Sequence, residues 1–114
     1  MTSTDFRRLA LGLPETSEKA HQSHPDFRVA GKIFATLGYP DSKWAMVKLS
    51  PEQQAEFVAA HPAVFVPVKG GWGRKGATNV KLRPAKAAAV RGALAAAWCN
   101  SAPKQLARKF EAQL

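Results

Sequence analysis

From the amino end, apolar residues first recur with a helical period. Phe6, Leu9, Ala10 and Leu13 stand at i, i+3, i+4 and i+7, behind Thr2, Ser3, Thr4 and Asp5, which supply cap hydroxyls and a first-turn acid. Gly12 and Pro14 end this helix. Residues 18–22 are compatible with a short strand, and residues 26–37 (DFRVAGKIFATL) read as two β-rich arms around Ala30-Gly31, a hairpin signal. Gly38, Pro40 and Asp41 close that unit. Residues 43–49 (KWAMVKL) alternate, with Ala45, Val47 and Leu49 on one side and Trp44, Met46 and Lys48 on the other. The period then changes. Ser50 as N-cap, Pro51 at the first helical position and Gln53 at the capping-box position start a second helix. Ala55, Val58 and Ala59 form its predicted apolar stripe, and His61-Pro62 ends it.

Residues 64–68 (VFVPV) are another β-rich run, in which Pro67 predicts a sheet edge or strand end. Residues 69–76 (KGGWGRKG) read as a flexible glycine-rich hairpin loop. Beyond it, Val80 and Leu82 alternate with Asn79, Lys81 and Arg83. Pro84 opens a long alanine-rich helix with Ala87, Val90, Leu94, Ala97 and Trp98 on one stripe; residues 100–103 break it, and Leu106 with Phe110 marks a short last helix. The order is α, three strands, α, two strands, α, with a C-terminal extension. Short turns between strands imply hairpins. The expected architecture is an α+β two-layer sandwich: a largely antiparallel five-stranded sheet, helices on one face, the other face open.

A length of 114 residues allows one domain, residues 1–114, and excludes two-domain dehydrogenases, kinases and barrel enzymes. With 46% hydrophobic residues and three tryptophans the chain has the composition of a packed protein, not of a disordered tail. Its one cysteine, Cys99, lies in an alanine-rich run where a buried inert thiol is expected, which points to a reducing, cytoplasmic setting. The N-terminus shows no export signal, and the longest apolar run, residues 92–99, is too short to span a bilayer, so no membrane partner is expected.

Charge changes the picture more. Residues 1–57 hold seven basic and seven acidic side chains; the remainder holds ten basic ones and a single acid, Glu111, so the whole net charge of +9 sits in the second half. Between Lys69 and Arg91 there are seven basic residues (Lys69, Arg74, Lys75, Lys81, Arg83, Lys86 and Arg91) and no acid. A continuous basic surface over that segment would favour nucleic acid, another polyanion or an acidic protein. Trp72, set between Lys69, Arg74 and Lys75, adds a stacking ring to the cations.

The glycines Gly71, Gly73 and Gly76 spell G-x-G-x-x-G, but no Asp or Glu follows at the distance a dinucleotide site needs, and the loop leads into a strand. A phosphate-binding loop fails as well, because Ala77 stands where its lysine belongs. His21, His24 and Asp26 have metal-ligand chemistry, though turn residues beside a strand are the simpler reading, and no cofactor is expected. Cys99 lies mid-helix without a base nearby, and the acids are scattered. No catalytic constellation emerges.

The run from His24 to Ala35, HPDFRVAGKIFA, resembles the signature of the MmcQ/YjbR proteins. Leu13-Pro14-Glu15, Leu49-Ser50-Pro51-Glu52, Gly71-Trp72 and Ala102-Pro103-Lys104 fit the same pattern, so the resemblance covers nearly the whole chain. It implies a CyaY-like or secretion-chaperone-like fold of order α-β(3)-α-β(2)-α, DNA binding through a double-wing arrangement, and no catalytic residues. Its motif positions here are Phe27, Gly31, Lys32, Phe34 and Trp72. Fold alone does not fix function. The expectation is a non-enzymatic DNA-binding protein using Lys32 together with Trp72 and the basic residues from Lys69 to Arg91. The alternative is a protein-interaction module that holds an acidic or extended partner on its open sheet face or edge strand, with Trp44 and Met46 serving it.

Overall fold

The computed structural model describes residues 1–21 and 24–112. Helix α1 (Ser3–Leu11) starts with a reciprocal cap: the Thr2 hydroxyl accepts from the Asp5 N–H at 3.1 Å, and the Asp5 carboxylate accepts from the Thr2 N–H at 3.0 Å. Its Phe6 and Ala10 are buried. Four strands follow: β1 (Thr16–His21), β2 (His24–Val29), β3 (Lys32–Leu37) and β4 (Trp44–Lys48). Ala30 and Gly31, with φ of 50° and 80°, make the tight turn between β2 and β3. Helix α2 (Pro51–Ala60) is capped by Ser50 and Gln53 in the same reciprocal way as α1. Then come β5 (Phe65–Pro67), the short helix α3 (Gly71–Arg74), β6 (Ala77–Lys81), α4 (Ala87–Ser101) and α5 (Lys104–Ala112).

Among the described residues the sheet has six strands, ordered β1-β2-β3-β4-β6-β5, with every neighbouring pair antiparallel. The α+β class stands, and the expected count of five strands is corrected. The additional member is β1, whose weak signal at residues 18–22 starts two residues earlier; residue 22 lies outside the described residues. TSEKAH carries one apolar residue because an edge strand buries little, and its order comes from pairing with β2 along its whole length. Pro67 sits in β5, the opposite edge, as its missing N–H requires.

The helices pack on one face. Helix α4 lies across β3 and β4, α1 beside it toward β1, and α2 over β5 and β6. Trp98 is the largest fully buried side chain; its indole N–H donates to the Pro14 carbonyl at 3.0 Å, and its ring lies 4.9 Å from Phe110 of α5. The inner face of α2 differs from the predicted stripe: Ala55 and Ala59 are exposed, and Phe57 with Val58 makes the contact, Phe57 meeting Phe65 edge-on at 5.2 Å. In α4 the buried stripe is Val90, Ala93, Leu94, Ala97 and Trp98; Ala87 is exposed, and Pro84 lies in the turn before the N-cap, Lys86. A β-bulge interrupts the β2–β3 ladder: Phe27 pairs with Ala35 and Arg28 with Ile33, which leaves Phe34 as the extra residue. Phe34 and Ala35 are both fully buried, and Ile33 shares the other face with Arg28. No helix among the described residues is long and apolar enough to cross a membrane.

Candidate functional site

The sheet face away from the helices carries a trough of about 450 Å³. Alternation places its floor: Asp26 on β2, Thr36 on β3, Met46 on β4 and Asn79 on β6 stand side by side in register, and Ile33 joins them through the bulge. Trp72, Val68 and Lys48 line the trough where β4 ends and β6 begins; His24 and Tyr39, whose rings meet edge-on at 5.9 Å, line it toward the other end of the sheet. Trp72 is 67% exposed and Tyr39 64%, and Val66 of β5, next to Asn79, is 40% exposed. Large exposed apolar side chains are therefore gathered around this one face.

Its electrostatics are one-sided. Asp26 is only 1% exposed and is gripped by Arg28, which donates from Nε at 2.8 Å and from the terminal nitrogen at 3.1 Å to the two carboxylate oxygens. That hydrogen bonding to Asp26 holds the Arg28 guanidinium above its ordinary pKa, against the opposing effect of desolvation. The paired charges cancel, and the charge left over is cationic. The Lys48 and Lys75 ammonium groups lie 5.7 and 5.8 Å from the centre of the Trp72 ring, within cation–π range.

The segment that presents Trp72 is fastened. In place of the expected flexible loop it forms α3, because the Gln54 amide of α2 donates to the carbonyls of Gly73 at 3.0 Å and Ala77 at 2.9 Å. The Thr78 hydroxyl adds a bond to the Gly76 carbonyl at 2.8 Å. The glycines have steric roles. A Cβ on Gly73 would overlap the Val68 carbonyl, and one on Gly76, whose φ is +113°, would overlap that of Leu49.

The residues predicted from sequence divide into separate groups. Lys69, Trp72, Arg74 and Lys75 are together and exposed around α3. Lys81 lies on the open face at the far end of β6, opposite Trp44, roughly 14 Å from Ala77 at 3.4 Å per residue. Arg83 stands in the turn after β6, Lys86 caps α4, and Arg91 is exposed on α4 in the helix layer. Lys32, at the start of β3, borders a shallow depression with Asn100, Lys104 and Arg108 instead of the trough. The continuous basic surface expected over residues 69–91 is thus corrected, because β6 and the sheet itself lie between its parts. Lys48, Tyr39 and Asn79 were not singled out as site residues; the alternation that set Lys48 beside Trp44 and Met46 was the available signal. Of the imidazole–carboxylate group considered for a metal, residues 22 and 23 lie outside the described residues, and Asp26 is engaged by Arg28.

A six-stranded antiparallel sheet with helices on one side and a preformed trough on the other defines a small open-faced α+β binding domain. The YjbR family model matches residues 11–100, and the chain belongs to that family. No curated protein matches it. The crystal structure of Deinococcus radiodurans protein DR2400, a DUF419 domain, is similar, with a TM-score of 0.70 and 19% identity covering 87% of this chain and 77% of that one. At that identity the likeness shows the fold.

Proposed function

We propose that this YjbR-family protein is a non-enzymatic DNA-binding protein that lays a single strand across the open sheet face, with one base stacked on Trp72. The observation that carries this reading is the exposed Trp72 ring flanked by Lys48 and Lys75 at the mouth of the trough. A flat π-face between two cations suits a base and its phosphates, and base–aromatic stacking is worth about 1–3 kcal/mol per base. The net charge of +9 supports a polyanionic partner. A non-enzymatic role is supported by the engagement of Asp26 with Arg28 and by the Cys99 thiol, whose pKa is raised first by burial and then by Glu111. A thiol of that kind suits a reducing cytoplasm.

Fluorescence anisotropy of labelled single-stranded and duplex DNA, at two salt concentrations with heparin as competitor, tests the reading. The expected result is tighter binding of the single strand, weakened about tenfold by Trp72→Ala. Equal binding of duplex, or no effect of Trp72→Ala, would sink it. The apolar part of the floor, Ile33 and Met46 with Val66 at the rim, favours a second reading in which an acidic, extended peptide lies on this face or pairs with the β5 edge. Salt-insensitive association with such a peptide, lost in Met46→Lys, would select it.

A further inference from the structure

We infer that the trough is a pocket for one unpaired adenine of the bound strand, read at its edge by Asn79. This rests on the single-strand reading above and adds a base preference to it. A volume of about 450 Å³ lies in the range of small-ligand sites. Its chemistry is that of a base pocket: flat and apolar along Ile33, Met46 and Ala77, walled by the Trp72 ring, with few polar groups.

One of those groups is Asn79. It is half-buried, its cross-strand neighbours are the apolar Met46 and Val66, and its side chain makes no hydrogen bond to another described residue. A carboxamide in such surroundings keeps an unmet donor and acceptor side by side. Adenine supplies the complement on two edges, since its amino group lies between two ring nitrogens that accept, and a carboxamide pairs with that arrangement in bidentate fashion. Guanine's corresponding major-groove edge presents two acceptors and leaves the Asn79 carbonyl unpaired. Pyrimidines cover less of the Trp72 ring. Ala77, the cross-strand partner of Lys48, is two residues from Asn79 along β6, roughly 7 Å, so a base lying over Met46 leaves its phosphate at the Lys48 and Lys75 end. Charge complementarity therefore fixes the direction in which the nucleotide enters.

The test compares an eight-residue oligothymidine with the same oligomer carrying one central adenine, on the wild-type chain and on Asn79→Ala, with thermal melting to confirm that the variant folds. Adenosine monophosphate as competitor, against thymidine monophosphate, gives a second readout that needs no variant. The expected result is about tenfold tighter binding of the adenine-containing oligomer, loss of that difference in Asn79→Ala with oligothymidine affinity unchanged, and displacement by the adenine nucleotide first. Equal affinity for the two oligomers, with Trp72→Ala still weakening both, overturns the adenine pocket and leaves the single-strand reading standing. A preference that survives Asn79→Ala overturns edge reading by that residue. Binding of neither oligomer overturns both.

Discussion

Trp72 owes its exposure to the residues beneath it. Gly76 lets the chain pass the Leu49 carbonyl at a φ of +113°, where any side chain would collide. Gly31, at a φ of +80°, has open space around the Cβ position. Gly76→Ala is therefore expected to cost more than the roughly 1–3 kcal/mol of backbone strain alone, and Gly31→Ala to stay within it. Denaturant midpoints of the two variants check the order; equal midpoints would mean the strand start yields to admit a methyl group. Cys99 supplies a second residue-scale prediction. Burial, reinforced by Glu111, pushes its thiol up, which keeps it neutral and unreactive at neutral pH. Alkylation should run markedly slower in the folded chain than in denaturant, and the folded rate should rise only as the pH climbs past the ordinary thiol range.

At the scale of elements, α2 acts as the clamp for α3. The Gln54 amide spans two carbonyls, one on each side of the turn into β6, so a side chain on one helix determines where the next helix presents its ring. Gln54→Ala removes both bonds and is expected to cost about 1–2 kcal/mol, since each contributes about 1 kcal/mol net. The effect should be local. Amide exchange should quicken at Trp72 and Gly73 while the amides of α2, which keep the Ser50–Gln53 cap, retain their protection. The same variant should weaken binding of single-stranded DNA without altering the charge of the molecule.

Over the whole molecule the +9 charge is divided among ends and layers. Lys48, Lys69, Arg74 and Lys75 cluster with Trp72; Lys81 and Arg83 gather beyond the far end of β6; Arg91 belongs to the helix layer. A strand held in the trough meets the first group directly. Lys48→Ala combined with Lys75→Ala should therefore lower the slope of log affinity against log salt by about two, one for each lost phosphate contact. Arg91→Ala should leave it unchanged. A larger change from Arg91→Ala would place the DNA on the helix layer.

Much of the fold was legible because it is written in short-range chemistry. The reciprocal caps at Thr2–Asp5 and Ser50–Gln53, the Ala30-Gly31 turn, the alternation of β4 and the edge position of Pro67 each involve residues a few positions apart, so their physics is visible along the chain. The family signature was legible for the same reason, and the family comparison bears it out. Pairing decided the rest. The strand β1 has too few apolar residues to announce itself and is ordered by β2; Ile33 reaches the open face only through a bulge; the glycine-rich segment becomes a fixed helix only when Gln54, some twenty residues earlier, reaches it. Above all, Lys48 comes from the electrically neutral half of the chain and meets Trp72 because β4 lies beside β6, a neighbour relation that no local period encodes.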